Sequence, residues 1–330
     1  MSTRFGVFVP QGWRMDLVDF TDPVEQYEAM TDVARRADRG PWDSVWTFDH
    51  LHTVPEPVAE TTFEAWTVTA TLARDTTRVN IGQMVTCNAY RQPSLLAKIA
   101  STVDVASHGR LYAGLGAGWS EHEWRAYGYP WPSLRERMQA FAEAVEIVHR
   151  MWTKDAVEFS GRHYSVDRPI NEPKGARTRP KLWLGGGGER VTLRLVARYA
   201  DGCNFGSGDP DVLRRKLSIL REHCEAEGTD YDAITKSTSV NVFPIQPGVD
   251  IEKATARARG RYSVEEFREI GVGGTASGVE LMIATPAEIA HLVEGAVEAG
   301  ADYVIAYIPG TAYDPEPMQR FAEEVIPRFG

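Results

Sequence analysis

The sequence predicts an α/β fold, a (β/α)8 TIM barrel carrying insertions, and three observations lead there. Eight short runs rich in β-branched and aromatic residues recur along the chain. Helical periods separate them, and polar or glycine-rich residues follow several of the runs directly. The 330 residues fit one such barrel, so a single domain over 1–330 is expected. Eight alternating strands do not by themselves exclude a doubly wound open sheet, which stands as the alternative.

Strands are expected at 5–10, 44–48, 79–86, 111–115, 182–184, 202–205, 237–245 and 303–308. Between the fourth and fifth, Met138, Phe141, Val145, Val148 and Trp152 recur at spacings of 3, 4, 3 and 4, the period of a helix with one buried face. Before the last strand, Thr285 is placed to cap a helix that has Pro286 at its first position and runs to Gly300. Two stretches break the repeat, around 153–179, rich in Pro, Gly and Arg, and around 248–282, polar with a Gly-Val-Gly-Gly run. Neither is long or apolar enough to own a core, so both read as insertions.

With 43% hydrophobic and 25% charged residues the chain can bury a large core, which excludes a disordered or fibrous protein. Its 36 basic and 46 acidic residues leave a net charge of −10. Nucleic acid and membrane are therefore not expected as partners, whereas a small-molecule substrate is. Cys87, Cys203 and Cys224 form neither a CxxC pair nor a disulfide framework and suit a reducing cytoplasm. A cytoplasmic protein is expected, since the sequence shows no signal-like N-terminus and no apolar run of about 18 residues.

In parallel α/β proteins the site lies at the carboxyl ends of the strands. Trp46-Thr47-Phe48-Asp49-His50 puts a carboxylate and an imidazole there, one to hold a ligand and one to move a proton near neutral pH. The alternative is a helix cap and a hydrogen-bonded loop histidine. Gly114-Leu115-Gly116-Ala117-Gly118-Trp119 has glycine at every second position, which is not the dinucleotide fingerprint. It admits either a planar ring close to the backbone or tight strand packing. Gly185-Gly186-Gly187-Gly188, read as entering a helix at Glu189, would offer N–H groups and the positive end of the helix dipole to a phosphate, or serve as a flexible turn. Thr86 and Asn88 are small hydrogen-bonding groups beside Cys87, which reads as a packing residue. His50-Leu51-His52 and Glu121-His122-Glu123 lack a third partner, and no metal is expected.

Together these residues resemble the luciferase-like oxidoreductases of the class that uses the deazaflavin coenzyme F-420. The resemblance runs through Phe5-Gly6-Val7-Phe8-Val9-Pro10-Gln11-Gly12-Trp13, Phe48-Asp49-His50, Gly82-Gln83-Met84-Val85-Thr86 and Gly109-Arg110-Leu111. It continues through the Gly114 to Trp119 segment, Glu158-Phe159-Ser160-Gly161-Arg162-His163-Tyr164, the four glycines and Tyr199-Ala200-Asp201-Gly202, covering nearly the whole chain. It implies a (β/α)8 barrel with the coenzyme across its carboxyl-end mouth. Carried over singly, it implies Asp49 as a deazaflavin contact and His50 as the proton donor. Gln83, Met84 and Thr86 would lie about the ring, with a cis non-prolyl peptide at Gln83-Met84. Ala117, Gly118 and His122 would supply contacts after the fourth strand, and Gly186, Gly187 and Gly188 the seat of the phosphate and ribityl chain.

Where sugar-phosphate dehydrogenases of this class carry a catalytic glutamate, this chain has Trp119. Their phosphate-binding lysines find no match after the sixth strand, in Cys203-Asn204-Phe205-Gly206-Ser207-Gly208. An aromatic substrate pocket follows, with Trp13, Trp46, Trp119 and Phe205 as walls. The resemblance implies hydride transfer between the coenzyme and a small organic substrate, unsaturated or imine-like, with alcohol oxidation as the reverse direction. It also implies a homodimer, and Arg91 and Arg162 are candidates to meet the coenzyme's polyglutamyl tail. An FMN-dependent monooxygenase is the alternative on the same fold, and a non-catalytic deazaflavin or flavin carrier a further one.

Overall fold

The structure, a computed structural model, describes residues 2–206, 208–272 and 280–330. The expectations for Ser207, and for Gly273 and Gly274 of the Gly-Val-Gly-Gly run, lie outside the described residues. Among the described residues eight parallel strands alternate with helices, as the (β/α)8 class requires. They are β1 Arg4–Phe8, β2 Ser44–Thr47, β3 Asn80–Gln83, β4 Leu111–Gly116, β5 Lys181–Gly185, β6 Gly202–Asn204, β7 Thr235–Pro244 and β8 Tyr303–Tyr307. Every strand expected from the sequence is present, with only its ends moved.

The chain groups into two compact units, one holding the residues up to Glu64, Phe205–Arg215 and those from Lys236 on, the other Ala65–Asn204 and Lys216–Thr235. In the first, the strands run side by side in the order β7, β8, β1, β2, with Met282–Ala284 added beside β7. Val7 registers with Val45 and Ala306, and all three are fully buried, the mark of strands covered on both faces. In the second unit the order is β3, β4, β5, β6. Leu111, Ala113, Leu115, Leu182 and Leu184 supply its buried strand residues.

The main helices are α1 Pro23–Arg39, α2 Ala65–Asp75, α3 Pro93–Ala106, α4 Leu134–Thr153, α5 Thr192–Tyr199, α6 Pro210–Glu227 and α7 Pro286–Glu298. α4 begins in a capping box in which Ser133 and Glu136 each accept the other's backbone N–H. It buries Phe141, Val145, Val148 and Trp152 as the spacing predicts, with Met138 half-buried at the edge of that face. The same box, Thr285 with Glu288, starts α7. The first insertion forms an antiparallel pair, Glu158–Ser160 with Ser165–Asp167. The Glu143 carboxylate of α4 pins its turn by accepting the N–H groups of Arg162, His163 and Tyr164 at 2.8, 2.9 and 2.9 Å. The second contributes two short helices, Ile251–Thr255 and Val264–Val272. Among the described residues no helix is long and apolar enough to cross a membrane.

Candidate active site

In the first unit the site residues gather after β1, β2 and β8. Gln11 ties the first two ends together: its side-chain oxygen accepts the Phe48 N–H at 2.8 Å, and its amide donates to the Phe63 carbonyl. Gly12 then turns the chain at φ +92, where a Cβ would stand 2.0 Å from the Thr61 carbonyl oxygen, so only glycine fits. The turn delivers Trp13, which is 2% exposed, onto the end of β2. Its indole lies parallel to the His50 imidazole, with centroids 4.0 Å apart and planes 3° from coincidence. Phe48 packs against the same indole at 4.4 Å and stacks on Phe8 at 4.2 Å. Asp49 is buried beside His50, which is half-buried.

Beneath this stack lies a charged group that the sequence reading missed. Arg14 is buried, its guanidinium 3.9 Å from the centre of the Tyr307 ring at the end of β8 and 5.0 Å from that of Phe48. Burial lowers the pKa of Arg14 and raises that of Tyr307. Asp16 accepts the Gly12 N–H at 2.7 Å, and burial pushes its carboxyl up to about 6, only partly offset by backbone N–H groups and Arg14. No spacing rule signals this cluster, because its members meet through two strand ends far apart in sequence.

Trp46 is fully buried and meets Tyr303, the first residue of β8, edge to face at 6.5 Å. A Cβ on Gly6 would touch the Trp46 indole at 2.4 Å, so the ring fills core space opened by that glycine. The indole therefore packs among the strands against Gly6 and Tyr303, whereas the expectation made it a wall of the substrate pocket. Phe205, after β6, is 9% exposed.

In the second unit a cis non-prolyl peptide follows β3, at Met84-Val85. The expected bond, Gln83-Met84, is off by one because β3 runs to Gln83. Gln83 is fixed behind the strand by donating to Thr69 of α2 at 2.7 Å, and Thr86 accepts the Trp66 indole N–H at 3.1 Å. Three glycines make room for this segment. A Cβ would come within 1.8 Å of the Gln83 carbonyl oxygen from Gly114, 2.4 Å of Val85 from Gly116 and 2.6 Å of Val85 from Gly185. Of the two readings of the alternating glycines, tight strand packing holds for Gly114 and Gly116.

The remaining glycines are different. Gly118, at φ +75, abuts Cys87 and Trp124, while Ala117 beside it is half-buried. Gly186, at φ +117, has its Cβ direction open, the nearest atom being Thr192 Cγ2 at 3.9 Å. α5 begins at Thr192, not Glu189, so Glu189, Arg190 and Val191 form a turn between the glycines and the helix. That turn is held from α6: Lys216 donates to the Gly187 carbonyl at 2.7 Å and pairs with Glu189 at 2.9 Å. Lys216 belongs to no motif and lies on another element, so it was not legible as a partner of the glycine run. Trp119 is 45% exposed and His122 is exposed on the short helix Glu121–Ala126, whose inward residue Glu123 accepts the Tyr90 hydroxyl at 2.9 Å. Asn88 donates to the Tyr164 hydroxyl at 3.2 Å, joining the end of β3 to the first insertion.

Comparison with known proteins adds the following. A family model described as luciferase-like monooxygenase matches residues 3–303. An F-420-dependent glucose-6-phosphate dehydrogenase of Kineococcus radiotolerans is 26% identical, with 90% of this chain and 92% of that protein covered. An F-420-dependent secondary alcohol dehydrogenase, solved with an F-420–acetone adduct, superposes with a TM-score of 0.78 at 23% identity over 100% of both chains. Monooxygenase RslO1 from Streptomyces bottropensis gives a TM-score of 0.78 at 19% identity, covering 99% of this chain and 100% of that one. At these identities the two structures establish a shared fold.

Proposed function

Because the chain belongs to the luciferase-like monooxygenase family, we propose that it is a coenzyme F-420-dependent oxidoreductase acting on a small organic substrate, with His50 as the proton donor. One observation carries this reading: at the carboxyl end of β2, His50 is held flat against Trp13 next to the buried Asp49. An imidazole held in a fixed plane beside a buried carboxylate suits proton transfer coupled to hydride chemistry. The coenzyme named for the relatives supports the deazaflavin.

The residues present fit that group. Gly186, open on its Cβ side, leaves room for a ligand to approach the backbone, and Lys216, bonded to the Gly187 carbonyl and to Glu189, fixes the turn on which that seat depends. When bound, the deazaflavin supplies the hydride chemistry at its ring. Asp49 would orient the ring by hydrogen bonding, while Met84, Thr86, Ala117 and Gly118, with Gln83 behind the strand, would line it and Gly186, Gly187 and Gly188 would seat its chain. His122 is a further contact at the surface. Trp13, Trp119 and Phe205 give the substrate side an aromatic character, which suits an apolar acceptor better than a sugar phosphate.

His50→Ala should retain coenzyme binding and lose turnover; equal loss of binding and rate would refute the proton-donor role. The second reading, an FMN-dependent monooxygenase, is suggested by the description of the matching family model as luciferase-like monooxygenase. Oxygen uptake with reduced FMN would put it first.

A further inference from the structure

We infer that Arg14 is a positioning residue for His50: it fixes the plane of the Trp13 indole against which the imidazole lies. This rests on the reading of His50 as the proton donor. The last torsion of a histidine side chain is broad, so its ring plane is set by neighbours, and here a parallel indole stands 4.0 Å away. Trp13 in turn has no polar anchor. Its Nε1 is buried and meets no hydrogen-bond acceptor among the described residues, so packing alone sets its plane. Phe48 supports it at 4.4 Å and an angle of 52°, and the Arg14 guanidinium lies 5.1 Å from its centre.

Arg14 is suited to that task. Its planar guanidinium faces three rings, Tyr307 at 3.9 Å, Phe48 at 5.0 Å and Trp13 at 5.1 Å, and Asp16 supplies a nearby opposing charge. Asp16 is itself held by the Gly12 N–H at 2.7 Å. An aliphatic side chain could fill this corner without desolvating a cation, so filling space does not account for a guanidinium here. A flat cation that attracts all three rings sets their mutual angles, which an aliphatic group does not.

The test is proton NMR of the full chain, whose eight histidines give few enough ring signals to assign His50 by its loss in His50→Ala. Stacking on an indole displaces the His50 ring protons upfield. Arg14→Met should abolish that displacement while melting temperature and F-420 affinity stay near wild type, and Arg14→Lys, which keeps charge but not planarity, should recover part of it. Trp13→Leu should abolish it and Trp13→Phe retain part. A fully retained upfield signal in Arg14→Met overturns the inference; if that variant does not fold, an unchanged signal in Arg14→Lys does so instead. Full turnover in His50→Ala would refute the underlying reading whatever the NMR shows, so the two failures are separable.

Discussion

Replacing Gly114 by alanine places a Cβ 1.8 Å from the Gln83 carbonyl oxygen, a backbone atom with no torsion of its own to swing aside. To restore an ordinary contact near 3.2 Å, β3 and β4 must part by roughly 1.4 Å, which strains both strands and weakens hydrogen bonds between them. Overpacking of about 1–3 kcal/mol and one or two weakened bonds of about 1 kcal/mol each give roughly 2–5 kcal/mol. At about 2 °C per kcal/mol for a chain of this size, the melting temperature should fall by roughly 4–10 °C. Gly186→Ala is the control. Its Cβ meets nothing closer than 3.9 Å, but φ +117 strains an L-residue by about 1–3 kcal/mol. It should fold, melt only slightly earlier and bind F-420 roughly tenfold more weakly, since a methyl group then occupies the open side of the seat. Thermal melts followed by circular dichroism and fluorescence titration with F-420 read both effects. A Gly114→Ala protein that melts with the wild type would refute the packing account of the alternating glycines. Wild-type affinity in Gly186→Ala would refute the seat.

Other expectations follow from the same geometry. Lys216→Met removes the ammonium that fixes the turn at Gly187 and Glu189, and should weaken F-420 binding roughly tenfold, measured by titration. Burial raises the Asp16 carboxyl from 3.8 to about 6, so the folded state keeps a proton that the unfolded chain releases as pH rises. Stability from this group is therefore greatest below pH of about 4 and falls by about 3 kcal/mol as pH climbs past about 6. Asp16→Asn lacks this loss, so the variant should gain on wild type by that amount between the two pH values in urea melts; a constant difference would contradict the burial argument. Trp119→Ala, at a residue 45% exposed, should change stability by less than about 0.5 kcal/mol yet lower kcat/KM for an apolar acceptor.

What was legible in the sequence was periodic or local. The strand runs and the α4 face repeat at the spacing that burial imposes, and Thr285-Pro286 carries its own start signal, so these elements stand where expected. Asp49 and His50 could be placed because they directly follow a strand. What was not legible depends on contacts between distant segments. Gly114 and Gly185 look alike in the sequence to Gly186, and only the approach of Gln83 and Val85 separates packing glycines from an open one. Trp46 and Trp13 both border β2 in space, but alternation along the strand turns Trp46 toward Gly6 and Tyr303 while the Gly12 turn brings Trp13 to His50. Arg14, Asp16 and Lys216 carry no motif, and their partners lie on other elements or across a turn.

The central claim is the coenzyme, and a tryptophan-fluorescence titration of the purified protein with F-420 and, in parallel, with FMN tests it most directly. Nine tryptophans, Trp13 among them at His50, give a signal sensitive to a ring bound nearby. The account predicts saturable quenching by F-420 at micromolar concentration and much weaker binding of FMN. The opposite preference would contradict it and make this protein an oxygen-using flavin monooxygenase.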